Sequence, residues 1–191
     1  MAKEESTLKA YFHAFPAYFE AHERWPIQGN MRVRLSLANK LPPAEVLSSI
    51  LAIVLNAKEE VLYLWPTQRT GSIAHILIGG RPQCGETPEE TAIREVGEET
   101  GWCVRPLRMI GFRHFFHLDP WTEKNDRPYP DFIQPVYAAQ ALEYEPNLAV
   151  SSDLIPAEFM VFESAEQAIE LAQRPLLYEV LNQVRRVLGR R

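Results

Sequence analysis

Residues Gly80–Trp102 read GRPQCGETPEETAIREVGEETGW, and the rest of the chain is best understood outward from this stretch. Thr87 suits a helix N-cap, Pro88 suits the first helical position, and Glu90 completes a T-x-x-E capping box. Gly101 stands where a left-handed residue would end the helix. At about 100° per residue, with Glu95 at zero, Glu98 falls near -60° and Glu99 near +40°. Ile93 and Val96 fall near 160° and 100° on that wheel, so they are expected to pack, while Arg94 is expected to point to a third side. The helix therefore presents three carboxylates within a turn of one another, with no lysine beside them. The window carries Glu86, Glu89, Glu90, Glu95, Glu98 and Glu99 against Arg81 and Arg94, which is -4 of the chain's formal charge of -5.

Like charges at these spacings repel by a few tenths of a kcal/mol per pair on an exposed helix. A hard cation turns that repulsion into binding energy, and oxygen-only ligands favour magnesium, manganese or calcium over zinc. The competing reading is a solvated acidic face. The frame around the glutamates weighs against it. Gly80, Glu86, Arg94, Glu95, Glu98, Glu99 and Gly101 reproduce G-x5-E-x7-R-E-U-x-E-E-x-G-U at every fixed position. Seven fixed residues at ordinary frequencies give a chance match on the order of 10⁻⁷.

This pattern resembles the signature box of the Nudix hydrolase family. The resemblance covers the 23 residues of the box. Ile78 stands where many members have a proline, and Trp102 fills a position that is more often aliphatic. The fold it implies is of the α/β (α+β) kind, a mixed β-sheet between α-helices with a loop–helix–loop metal site. The activity it implies is hydrolysis of a nucleoside diphosphate linked to another moiety, such as an ADP-ribose-like or nucleotide-sugar-like compound, with Mg2+ (or Mn2+) as cofactor. Carried over by position, Glu95, Glu98 and Glu99 are metal ligands or base candidates, and Glu86 with Arg94 forms an orienting ion pair. Gly79, Gly80 and Arg81 belong to the phosphate-facing loop, where glycine permits close backbone approach. Asp153, in SSDLIPAEF, is the candidate general base from a second loop, with a turn cap as its equal alternative. Asp119, Glu123 and Asp131 are weaker competitors.

Upstream, residues 6–25 read as an aromatic-rich helical segment broken at Pro16. A strand follows from Met31. Val46–Asn56 reads as a buried strand and Val61–Trp65 as its hairpin partner across the Ala57–Glu60 turn. Ile73–Ile78 reads as a strand ending at Gly79. Downstream, Cys103–His117 and Asp131–Leu142 look extended, joined by a loop, Leu118–Pro130, rich in proline. Ala157–Phe162 reads as a strand, Ser164–Gln173 as a helix, and Pro175 opens a last helix towards Arg186. Residues 1–45 form an N-terminal extension to a domain spanning 46–191.

Trp121 and Phe116 are the candidates to stack on a base. His75, His114 and His117 are expected to be half-buried strand residues, and the late arginines a solvated helix end. The aromatic N-terminal segment packs either on its own domain or on a partner chain as a homodimer element.

Composition narrows the class. A pI near 5.6 offers no basic footprint for nucleic acid. The longest uncharged run, Val46–Ala57, is far shorter than the ~18 apolar residues of a membrane span. Cys84 and Cys103 make neither a disulfide framework nor a zinc site. With no secretory signal at its start, the chain is expected in the cytoplasm, acting on a small-molecule nucleotide derivative. Two alternatives stay open: a non-catalytic nucleotide-sugar-binding regulatory module, and a prenyl diphosphate isomerase using a cysteine.

Overall fold

Strand β3, Ile50–Leu55, is apolar at every position and buried throughout. Such a run belongs to a strand covered on both faces. In the computed structural model, which describes residues 2–65, 76–150 and 155–190, it lies inside a mixed eight-stranded sheet. Leu51, Ile53 and Leu55 face one hydrophobic layer, while Ile50, Ala52 and Val54 face the other.

The remaining strands are β1 (Phe19–Trp25), β2 (Gly29–Leu37), β4 (Val61–Leu64), β5 (Ile78–Gly80), β6 (Trp102–His117), β7 (Asp131–Tyr144) and β8 (Ala157–Met160). Their order is β1-β2-β6-β7-β3-β4-β8, with β5 paired to β3 off this path. The β3–β7 pair is parallel and the others are antiparallel. Helices α3 (Phe162–Ala168) and α4 (Arg174–Leu188) cover one face, where Leu176, Leu177, Val180 and Val184 are fully buried. Helices α1 (Ala2–Ala14) and α2 (Pro88–Thr100) contribute to the layer on the other, Ala92 and Val96 from α2 being fully buried there.

Four sequence expectations change. The segment 6–25 is helical only to Ala14, and after Pro16 it becomes β1, an edge strand whose residues pair with β2 from Phe19↔Leu35 to Trp25↔Gly29. The 46–56 strand begins only at Ile50, because the chain before it winds into a 3-10 turn, Ala44–Val46. The strand expected at 73–78 starts at Ile78 and includes both glycines, since backbone pairing with β3 runs through Gly79 and Gly80; residues 73–75 lie outside the described residues. The 164–173 helix starts earlier, at Phe162, ends at Ala168, and is followed by a separate 3-10 turn, Leu171–Gln173.

The N-terminal helix packs on its own domain. The Tyr11 ring lies 5.2 Å from that of Phe112 and the Phe12 ring 4.2 Å from that of His114. The Tyr11 hydroxyl also donates to the Lys40 carbonyl at 2.8 Å. No helix among the described residues is long and apolar enough to cross a membrane.

Candidate active site

The caps of α2 are those its sequence calls for. Thr87 Oγ1 accepts from the Glu90 amide at 3.2 Å, and the Glu90 carboxylate accepts from the Thr87 amide at 2.8 Å. Gly101 sits at φ +76° with the Tyr144 ring 2.8 Å from where a Cβ would be, so both conformation and space demand glycine. Thr91, Ala92, Val96, Gly97 and Thr100 form the buried side of the helix. Ile93 does not join them and is 42% exposed, contrary to its place on the helical wheel. On the wheel Ile93 falls between Thr100 and Gly97, both buried, so its exposure reflects its place a turn nearer the helix N-terminus and not its angle.

Arg94 also departs from expectation. It turns into the carboxylates and becomes their hub. Its Nε donates to Glu86 at 2.6 Å and its Nη2 to the other Glu86 oxygen at 3.1 Å. Nη1 donates to both Glu95 and Glu98, each at 2.8 Å. Nη2 further donates to the Arg81 carbonyl at 3.0 Å, tying the loop to the helix. The wheel in fact sets Arg94 about 40° from Glu98, an i,i+4 pair, while the contact to the adjacent Glu95 depends on the reach of the arginine side chain. Glu86 also accepts from the Gln83 amide and the Thr91 hydroxyl, and with Arg94 as the largest cause its pKa falls to about 2. Glu95 moves the other way: burial raises its pKa, against the opposing pull of Arg94.

Gly80 packs directly on Glu95, and a Cβ at Gly80 would overlap that carboxylate. Gly79 lies equally close to the Ile50 carbonyl of β3, with which the loop pairs. Backbone pairing therefore fixes the glycine strip against the acidic face of α2.

The loop 118–130, a strap across the sheet end, meets this strip at Arg81 and at the approach to β3. Asp126 pairs with Arg81 through one oxygen and lies 3.8 Å from Arg127 Nε through the other. Gln28 also donates to Asp126, at 2.5 Å. Arg127 Nη1 donates to Ser48 Oγ at 2.5 Å and Ser49 Oγ at 2.7 Å, immediately before β3. Neither Asp126 nor Arg127 carries any sequence signal; only the fold brings them to Arg81. Trp121 stands exposed in the same strap. Phe116 lies on β6, its ring beneath the Arg32 guanidinium at 4.9 Å, beside a cavity of about 730 Å³ shared with Tyr129 and Phe12.

The other acids separate. Asp119 accepts from the Asn30 amide at 2.8 Å and from its side chain, and Asp131 pairs with His114 Nε2 at 2.6 Å. Asp153 and His75 lie outside the described residues. His114 and His117 are fully buried rather than half-buried, and Arg185 is not simply solvated but forks onto Glu59 at 2.8 and 3.1 Å. Desolvation and the charges of Glu145 and Glu143 raise the Cys103 pKa, which disfavours a thiolate nucleophile.

The donor set fits a hard divalent cation. It is made of carboxylate oxygens alone, and two of them already converge on one cationic nitrogen, Arg94 Nη1. The trio is more open than a closed metal cage. Among the described residues, only Cys103, Glu143 and Glu145 bring three such ligand atoms within 4.8 Å of one another.

Comparison with known proteins gives the following. The profile of the NUDIX domain matches residues 47–180. No curated protein is matched by sequence. Among solved structures, a pyrophosphohydrolase from Bacillus subtilis aligns with 88% of this chain and 97% of its own, at TM-score 0.52 and 17% identity. A NUDIX hydrolase from Nitrosomonas europaea aligns with 76% of this chain and 90% of its own, at TM-score 0.47 and 20% identity. An ADP-ribose pyrophosphatase from Streptococcus suis aligns with 73% and 91%, at TM-score 0.47 and 15% identity. At these identities the likeness concerns the fold.

Proposed function

Because this chain belongs to the Nudix family, we propose that it is a metal-dependent hydrolase cleaving the pyrophosphate linkage of a nucleoside diphosphate joined to a second group, of the ADP-ribose or nucleotide-sugar kind. The observation that carries the reading is the meeting of Glu95, Glu98 and Gly80 around Arg94. Two acids converge there beside a strip of backbone with no side chain to bar a phosphate.

Glu95, Glu98 and Glu99 would hold the cation, Mg2+ or Mn2+. When bound, it offsets phosphate charge and makes a coordinated water more acidic. The protein's own groups do the rest. Glu86 grips Arg94 through both carboxylate oxygens, so Arg94 presents Nη1 to Glu95 and Glu98 in one orientation. Burial of Glu95 disfavours its charge despite the Arg94 contact, and a bound cation would supply the missing compensation. Gly79 and Gly80 leave room for the diphosphate, and Arg81 faces it from the loop. A carboxylate, from Glu98, Glu99 or Asp153, accepts the proton of the attacking water. The water oxygen bonds to phosphorus, the bridging P–O bond breaks, and two phosphate monoesters leave. Trp121 and Phe116 are the proposed stacking residues for the base.

We read residues 1–45 as an extension completing the sheet of the 46–191 domain, and the protein as cytoplasmic. Glu98→Gln keeps the shape of the side chain and removes its charge. Turnover should fall at least about a hundredfold in a magnesium-supplemented screen of nucleoside diphosphate derivatives, with circular dichroism unchanged. Retained turnover would overturn the site assignment.

A further inference from the structure

Asp126 pairs with the Arg81 guanidinium through one carboxylate oxygen, while the other accepts from Gln28 at 2.5 Å and lies 3.8 Å from the Arg127 guanidinium. Both arginines are anchored from the Gly80 strip. Arg81 follows Gly80 directly, and its carbonyl is held by the box arginine, Arg94, at 3.0 Å. Arg127 is held by Ser48 and Ser49, and the next residue, Ile50, is the backbone partner of Gly80. The pair therefore brackets the glycine that touches Glu95. The side chains of Arg81 and Asp126 are about half exposed, so an incoming anion can reach them. Arg127 is more enclosed, and its Nε is buried with no hydrogen-bond partner. Two positive charges share one negative charge here, and one donor is unsatisfied.

Such an arrangement is an anion site with a resident anion in it. A phosphate presents the same paired oxygens as a carboxylate but carries more charge, and guanidinium forks bind both. We propose that Arg81 and Arg127 clamp the phosphate of the diphosphate that is not attacked, and that Asp126 is the placeholder it displaces. This rests on the reading of the box as a pyrophosphate-cleaving site and assigns Arg127, from a strap outside the box, to substrate positioning. The phosphate that is not attacked is the leaving group, and it gains negative charge as the bridging P–O bond breaks. The clamp therefore grips it more strongly in the transition state than in the ground state and acts on kcat as well as on KM.

The test compares the wild type with Arg127→Gln and Asp126→Asn, using inorganic pyrophosphate with Mn2+ in calorimetry and ADP-ribose with Mg2+ in kinetics. Arg127→Gln should weaken pyrophosphate binding at least about tenfold, as expected for loss of one charge-assisted contact. Asp126→Asn should tighten it, because a neutral amide competes less well for the guanidiniums. In ADP-ribose turnover Arg127→Gln should lower kcat as well as kcat/KM. Thermal melts of both variants report the integrity of the strap. If both variants weaken binding together, or neither changes it, the three residues are only a structural cross-link and the clamp is overturned. A wild type that binds no pyrophosphate also overturns it. A wild type that binds pyrophosphate with the predicted opposite responses, yet turns over no diphosphate, would keep the clamp and overturn the hydrolase reading instead.

Discussion

At the scale of single residues the proposed site turns on Gly80 and Arg94, for opposite reasons. Gly80 contributes by what it lacks. Any Cβ there would collide with the Glu95 carboxylate, so Gly80→Ala must displace either the loop or the glutamate. Overpacking of this kind costs about 1–3 kcal/mol. Here the displaced group is a proposed metal ligand, so activity should fall much further than the melting temperature does. Assaying turnover and thermal unfolding on the same preparation checks this, and a parallel loss of both would argue against it. Arg94 contributes by reach. Its guanidinium serves Glu86, Glu95, Glu98 and the Arg81 carbonyl together. The pairing with Glu86 is what the family resemblance implies. The Glu98 contact is an i,i+4 pair that spacing makes legible, whereas the contact to the adjacent Glu95 depends on a side-chain rotamer that a helical wheel does not represent.

At the scale of elements, α2 is the part of the fold most completely written in local sequence. Its capping box, its N-terminal proline and its left-handed terminator each act on backbone groups within a few residues of themselves. Thr87→Ala removes the side-chain half of the box and should cost about 1 kcal/mol. For a chain of this size that is a fall of about 2–4 °C in Tm, measured by calorimetry. The strands were legible in proportion to how local their cause is. The long pair β6 and β7 announced itself by composition and length. By contrast β1 has an edge position with mixed residues, FEAHERW, and its strand character comes from pairing with β2. The start of β3 lies inside the apolar-looking run because Ala44–Val46 winds into a 3-10 turn ahead of it. The Ser48 and Ser49 hydroxyls between them accept from Arg127, 78 or more residues away.

Across the whole molecule, the strap 118–130 joins three parts of the chain. Asp119 holds the turn between β1 and β2, Asp126 holds Gln28 and the box loop, and Arg127 holds the approach to β3. The N-terminal strands are thus wired to the acidic site through the strap. Asp119 makes this connection sensitive to pH. Hydrogen bonds from the Asn30 amide and side chain lower its pKa below the ordinary 3.8. A carboxyl whose folded pKa is depressed contributes stability that is complete above its unfolded value and is lost as pH falls through the folded one. Wild type should therefore melt higher than Asp119→Asn at neutral pH, and the gap should close progressively as pH drops below about 3.8. A gap independent of pH would show that the ionised carboxylate is not what holds the turn.

By itself the sequence determined α2, its caps, the acidic side of that helix and the membership that its spacing announced. All of these follow from interactions between residues no more than a turn or two apart. The tertiary structure decided which cations meet those acids. It turned Arg94 inward, laid Gly80 against Glu95, and brought Asp126 and Arg127 over Arg81 from a distant loop. Contacts of that kind arise from strand pairing and chain crossing, whose partners are set by the folded sheet as a whole rather than by any neighbouring residues.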